Sequence, residues 1–249
     1  MIHKFGALPS VHDESKHGPL IALAPYLGNY PDYPAPPFAR NWTGDAAYEI
    51  AMNDLIGCCT IATIVHLLQC HAHNQGESIL IPNADILRAY MAISGYDGTE
   101  ETDRGAMPLD ALTYARDVWG VITGFVKLDT TNRREMCAAI NLFGGVYLAA
   151  RLPRRIREQG ADWELPPLNL RSDSDEPGSL GGHAFAGLGY NHTHFNVMPW
   201  TDATEAGNAW MDEYVDEAYA VVTPRWVDAN RKAPNGLDLT ALLRDLKII

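Results

Sequence analysis

The chain has 249 residues, with 19 Lys and Arg against 31 Asp and Glu, a formal charge of −12. That balance leaves no basic face large enough to neutralise many phosphates, which argues against nucleic acid and anionic membranes as partners. A composition 47% hydrophobic and 20% charged is that of a globular chain, long enough for one large domain or two lobes sharing an interface.

No apolar run approaches the roughly 20 residues that span a bilayer, and residues 1–6 lack the apolar stretch of a signal peptide. The expected setting is intracellular. The four cysteines agree: Cys58 and Cys59 are adjacent, and Cys70 and Cys137 show no short pairing pattern of a disulfide scaffold.

Residues 1–50 carry Pro9, Pro19, Pro25, Pro31, Pro34, Pro36 and Pro37 among aromatics and glycines, without sustained periodicity, and read as an extended arm over the body. From Cys59 to His73, Ile61, Ala62, Ile64, Val65, Leu67 and Leu68 cover most of a helix surface, predicting a largely buried helix ended by Gly76. Further helices are expected over 83–94, 108–118 with Pro108 in its first turn, and 133–143. Residues 51–144 thus form a helical lobe.

From Gly145 short runs rich in β-branched and aromatic residues, 146–150, 184–190, 195–198 and 218–222, alternate with Gly, Pro, Asn and Asp, predicting strands. Residues 145–249 therefore form a β-rich lobe, with a closing amphipathic helix over 238–247 through Leu239, Leu242, Leu243 and Leu246. The acidic stretches 97–104 and 165–182 read as surface loops.

A nucleophilic thiol is best placed at a helix N-terminus, where free amides and the helix dipole favour the thiolate, with an imidazole from elsewhere in the fold as its base. Asn53-Asp54-Leu55-Ile56-Gly57-Cys58-Cys59-Thr60 puts Cys59 at such a helix start, behind a glycine that permits close approach. Gly181-Gly182-His183-Ala184-Phe185-Ala186-Gly187-Leu188-Gly189-Tyr190 puts His183 at the start of a small-residue strand.

In order and spacing these segments resemble the papain-like cysteine peptidases. The resemblance, over roughly residues 45–225, places Cys59 on the nucleophile, Gly57 on the glycine two before it, Asn53 on the oxyanion-hole glutamine and His183 on the general base. Gly105-Ala-Met-Pro-Leu-Asp resembles the family's glycine turn, and Asn141-Leu-Phe-Gly-Gly-Val-Tyr the helix and strand before the active histidine. The Asn53-Asp54, Gly57-Cys58-Cys59-Thr60, Gly182-His183 and 216–221 segments also resemble an uncharacterised bacterial and bacteriophage papain-like group.

The implied fold is α+β: a helical lobe with a central Cys-bearing helix packed on an antiparallel β-sheet or barrel lobe. The implied activity is acyl transfer on a peptide or amide, without cofactor or metal. Three positions depart from the family. Met198 stands where an asparagine orients the histidine, Thr60 replaces a tryptophan, and Asn53 is shorter than glutamine. Met cannot hold an imidazole tautomer. Asp202, beyond Trp200, is the candidate substitute orienter, with Asn196 the other.

Competing readings follow from the same residues. Cys59 could be a small buried hydrophobe, Cys58 the nucleophile one register away, and Asn53 a turn residue. His66, Cys70 and His73 share a helix face at metal-ligand spacing, but no fourth ligand is visible. Arg151, Arg154, Arg155 and Arg157 are expected to pair with Asp173, Asp175 and Glu176. The alternative function is a catalytically degenerate scaffold, a structural or binding component of a phage particle. The partners are then a peptide or protein substrate in one case and neighbouring structural subunits in the other, and the setting is cytoplasmic or virion-associated.

Overall fold

The computed structural model describes residues 4–28, 35–227 and 232–248. Pro31 and Pro34 of the expected arm lie outside them. The helices are α1 (Glu14–His17), α2 (Ala24–Leu27), α3 (Cys59–Asn74), α4 (Asn83–Ser94), α5 (Pro108–Asp117), α6 (Arg133–Phe143), α7 (Ile156–Gln159), α8 (Asn208–Tyr214) and α9 (Thr240–Asp245). The strands are β1 (Arg40–Asn41), β2 (Gly124–Lys127), β3 (Val146–Leu152), β4 (Asp162–Trp163), β5 (Gly181–Tyr190), β6 (His194–Met198), β7 (Thr204–Gly207) and β8 (Val215–Val222). No helix among the described residues is long and apolar enough to cross a membrane.

Helix α3 is buried on every side from Cys59 to Ala72, as its nearly continuous apolar surface predicts. Four of its polar residues find partners inside the core. Thr63 Oγ1 donates to the Cys59 carbonyl, His66 Nε2 to the Glu49 carbonyl, and Gln69 Nε2 to the Glu49 carboxylate. His71 Nδ1 meets the Thr223 hydroxyl at 2.8 Å. Such pairing is what makes buried polar groups tolerable.

Beside α3, helix α6 obeys its end signals. Asn132 caps α6 by accepting from the Glu135 N–H, and Gly144 ends that helix in the left-handed region at φ 77°, turning the chain directly into β3. A side chain at Gly144 would strike the Trp226 ring at 2.2 Å.

The strands form one sheet in the order β2-β8-β3-β5-β6-β7-β4, with β1 pairing β5 beyond the end of β3. Strand β5 is its centre, running antiparallel to β3 from Gly181↔Leu152 to Gly187↔Val146 and to β6 on its other edge. From His183 to Tyr190 it is buried throughout, and α3 packs against it. Burial on both faces explains why its sequence is a continuous small and apolar run without alternation.

The sheet departs from the expected antiparallel pattern at one edge, where β4 pairs β7 in parallel. Strand β2 comes from the stretch assigned to the helical lobe, and β1 from the arm. Both were too short for periodicity to reveal. The expected helix over 108–118 ends at Asp117, and the tail helix over 238–247 shrinks to Thr240–Asp245 while keeping Leu239, Leu242, Leu243 and Leu246 buried.

Candidate active site

Cys59 is the first residue of α3 and is fully buried. Its Sγ lies 3.5 Å from the Ala184 nitrogen, so the peptide linking His183 to Ala184 packs on the thiol. The backbone of the strand just after His183 therefore meets the thiol at the α3–β5 contact. The neighbouring Cys58 points elsewhere: its Sγ–H reaches the Ala51 carbonyl at 3.3 Å, and burial drives its pKa well up.

His183 is fully buried, and its Nε2 lies 2.9 Å from the Pro199 carbonyl oxygen. A carbonyl only accepts, so Nε2 carries the hydrogen and Nδ1 is the basic nitrogen of the neutral ring. The Trp200 ring stacks on the imidazole with centroids 4.9 Å apart. The place expected for Asp202 is thus held by a backbone oxygen. Asp202 is exposed and its carboxylate accepts from the Thr201 hydroxyl, because the chain turns outward after Trp200. Met198 is buried in the core, and Asn196 Nδ2 donates to Glu205.

Asn53 is buried, and its side-chain amide donates to the Ile56 carbonyl at 3.2 Å and to the Lys4 carbonyl at 3.3 Å. Its backbone N–H also closes a turn on Ile50, so Asn53 takes part in the turn while its amide donates to main-chain carbonyls. The two residues before it, Ala51 and Met52, have φ of 51° and 64°. Each such left-handed conformation costs about 1–2 kcal/mol, a strain that the packed loop holds in place.

Two residues missing from the sequence reading brace this loop. The Asp103 carboxylate accepts from the Gly57 N–H at 2.9 and 3.1 Å and from the Tyr90 hydroxyl at 2.6 Å, and Tyr90 in turn accepts from the Gly105 N–H. Asp103 lies in the acidic stretch read as a surface loop. Nothing in its local sequence sets it apart from the acidic residues around it.

The N-terminal segment closes the site. The Lys4 N–H donates to the Asn53 carbonyl, both the Gly6 and Ala7 N–H groups to the Gly182 carbonyl, and the Leu8 N–H to the Ala106 carbonyl, while Ala106 N–H returns to Gly6. Ala7 and Ala106 form a parallel bridge. The fit is backbone on backbone. A Cβ on Gly6 would lie 2.0 Å from the Gly57 oxygen, one on Gly105 2.1 Å from the Gly6 oxygen, and one on Gly182 2.0 Å from the Ala7 oxygen. Phe5 sets its ring edge-on against His183 and Trp200, at 5.8 and 6.3 Å.

Burial under this segment pushes the Cys59 thiol up to about 11, against the opposing pull of the N–H groups of Ala184, Gly6, Thr60 and Ala7. Two of those four donors belong to the arm. With the arm in this position the thiol is protonated at neutral pH.

The helix face of His66, Cys70 and His73 is used in other ways. His66 holds Glu49, Cys70 Sγ faces the Trp42 and Gly144 carbonyls, and His73 pairs with Asp45. Among the described residues no His, Cys, Asp and Glu group has metal-binding geometry. Of the arginines, Arg155 pairs with Asp175, holding that carboxyl down to about 2, Arg154 reaches the Asp173 carbonyl, and Arg151 pairs with Asp216.

No family model matches the chain, and no curated protein matches it. Solved structures do. Xylellain, a cysteine protease from Xylella fastidiosa, is 15% identical with a TM-score of 0.67, over 89% of this chain and 96% of that one. The digestive procathepsin L2 proteinase of the Tenebrio molitor larval midgut is 12% identical with a TM-score of 0.56, over 88% and 78%. The Carica candamarcensis cysteine protease CMS1MS2 is 12% identical with a TM-score of 0.50, over 75% and 99%. The fold is that of the papain-like cysteine proteases, with a Cys-bearing helix packed on a mixed sheet.

Proposed function

We propose that this chain is a cysteine peptidase or amidase of papain-like type, held closed by its own N-terminal segment. The observation that carries this reading is the contact of the Cys59 thiol with the His183–Ala184 peptide at a helix start, beside an imidazole whose tautomer is fixed by Pro199. With the arm displaced, His183 takes the Cys59 proton, and the thiolate attacks a peptide carbonyl. The oxyanion is held by the Cys59 backbone N–H and the Asn53 amide, the group that now donates to the Lys4 carbonyl. His183 then returns the proton to the leaving amine.

A second reading, a non-enzymatic scaffold acting as a structural or binding component, such as one of a phage particle, draws on the filled cleft and the raised thiol pKa. A fluorogenic peptide pool, incubated with the full chain and with its Gly6→Val variant, separates the two. Turnover by the variant that vanishes on adding Cys59→Ser supports the peptidase. A variant that folds and exposes Cys59 to alkylation, yet cleaves no peptide or ester, supports the scaffold.

A further inference from the structure

Two stretches of main chain border the N-terminal segment at the site, and one carboxylate ties them together. The first is the loop over 53–59, which carries the Asn53 amide and the Cys59 N–H, a donor that has no partner inside α3 because it belongs to the first residue of that helix. The second is Gly105 and Ala106. The Ala106 N–H donates to the Gly6 carbonyl and the Ala106 carbonyl accepts from the Leu8 N–H, so this stretch holds an extended chain along the site. Asp103 bridges the two. Its carboxylate takes the Gly57 N–H on both oxygens, at 2.9 and 3.1 Å, and the Tyr90 hydroxyl at 2.6 Å, while the Tyr90 oxygen takes the Gly105 N–H at 3.0 Å.

The loop needs such a tie. Ala51 and Met52 stand in left-handed backbone that non-glycine residues keep only when their surroundings hold them there, and Leu55, 62% exposed, gives the loop no apolar anchor of its own. A carboxylate is the stronger kind of acceptor for a backbone N–H. Its point of attachment, Gly57, lies two residues before Cys59 and four after Asn53, between the two donors that face a reacting carbonyl. A Cβ on Gly57 would lie 3.0 Å from Asp103 Oδ1 and 3.1 Å from the Phe5 carbonyl oxygen, so Asp103, Gly57 and the chain in the site meet with no room for a side chain.

We infer that Asp103 is a positioning residue for acyl transfer: acting through Gly57 and Tyr90, it holds the Cys59 N–H and the Asn53 amide at a fixed place relative to Ala106, so that a chain seated on Ala106 presents its carbonyl to both donors. The inference rests on the acyl-transfer reading above. Oxyanion donors work only within a narrow range of distance and direction, so a loop free to shift by about half an ångström gives up much of their effect while the thiol itself stays in place at the helix start.

Two reactions of Cys59 separate this role from a merely structural one. A pool of N-acetyl-dipeptide aldehydes adds to the thiol: the S–C bond forms, the carbonyl π pair moves to oxygen, and the thiol proton passes through His183 to that oxygen, which the two donors hold. Iodoacetamide alkylates the same sulfur by displacing iodide and forms no oxyanion. Both are read in the full-length Gly6→Val chain, as the iodoacetamide labelling rate of Cys59 and as the aldehyde concentration that halves it. Asp103→Ala should raise that concentration about tenfold, a partial loss of oxyanion binding, and change the labelling rate without aldehyde by less than twofold. Asp103→Asn keeps the shape and one acceptor, and Tyr90→Phe keeps the Gly57 bond while releasing Gly105, so each should raise it about threefold. Leu243→Ala, at a buried position of α9, should lower the urea midpoint and leave both readings unchanged.

Equal aldehyde protection in the Gly6→Val chain with and without Asp103→Ala overturns the positioning role and spares the peptidase. A labelling rate that falls as far as the aldehyde affinity also overturns it, since Asp103 then supports only the fold around the thiol. A Cys59 that iodoacetamide reaches and no aldehyde protects overturns the peptidase. In that case NMR of the chain with Gly6 intact decides the positioning alone. Asp103→Asn should move the resonances of the Asn53 side-chain amide and the Cys59 N–H, and Leu243→Ala should leave both in place. Resonances that Asp103→Asn leaves unmoved refute the role.

Discussion

The Pro199 carbonyl oxygen lies 2.9 Å from Nε2 of His183, in the position where a side-chain acceptor would hold a catalytic imidazole. Because this acceptor is part of the main chain, no side-chain substitution deletes it. Asp202→Ala should therefore change the rate of Cys59 alkylation by less than twofold in the Gly6→Val background, read by iodoacetamide labelling and mass spectrometry. Trp200→Ala removes the ring stacked on the imidazole and should slow labelling about tenfold, a loss of roughly 1.4 kcal/mol in positioning.

Under Gly6 and Ala7 the Cys59 thiol is buried, and that burial pushes it up to about 11. All four cysteines are buried, so at pH 7.5 none should label quickly in the native protein. Gly6→Val forces a Cβ into the Gly57 oxygen, which the rigid loop cannot yield. The variant should label Cys59 at least tenfold faster than the parent, with Cys58, Cys70 and Cys137 unchanged. Adding His183→Ala should return the rate toward the parent value, because no imidazole then takes the proton.

Two buried histidines should make the fold sensitive to mild acid. Burial lowers His66 to about 4 and His71 to about 3, below the ordinary 6.5. The unfolded chain therefore binds protons that the native chain does not, and stability present above pH 6.5 is lost as pH falls through the window down to about 4 and 3. Each site contributes a slope of up to about 1.4 kcal/mol per pH unit there. Urea unfolding at pH 7.5 and 5.0 should show a lower midpoint at 5.0, and His71→Asn should flatten that difference.

The Asp103 carboxylate holds both the Gly57 N–H and the Tyr90 hydroxyl. Asp103→Ala leaves both donors without their charged acceptor and should cost about 2–4 kcal/mol in denaturant unfolding, taking roughly 1–2 kcal/mol per donor. Tyr90→Phe keeps the Gly57 bond but loses the donors' relay to Gly105, and should cost about 1 kcal/mol. Equal losses in the two variants would mean that the Gly57 contact carries no weight.

What the sequence revealed and what it hid have different physical origins. The apolar surface of α3, Pro108 in the first turn of α5 and the small-residue run of β5 are side-chain patterns, and each marks its element in the sequence. The resemblance to the papain-like order is what singles out Cys59, behind a glycine at a helix start, and His183, behind a glycine pair at a strand start. The Pro199 acceptor and the interlock of Gly6, Gly57, Gly105 and Gly182 are main-chain contacts, which every sequence offers everywhere. Asp103 was hidden for another reason: a loop carboxylate reads as solvated until its partner, 46 residues away, is known. Strands β4 and β7 and helix α8 are two, four and seven residues long and carry too few periods to stand out.

The direction of the N-terminal segment, parallel to its neighbour at Ala106, has a bearing on how the closed form responds to its surroundings. The stopper and the site are one molecule, so the local concentration of stopper is set by the tether and not by the amount of protein. Dilution, which separates an enzyme from a diffusible inhibitor, leaves this site shut. Opening needs work done on the segment itself, by a cut, a pull or a competing surface, and protein at any concentration should begin with Cys59 covered by Gly6 and Ala7.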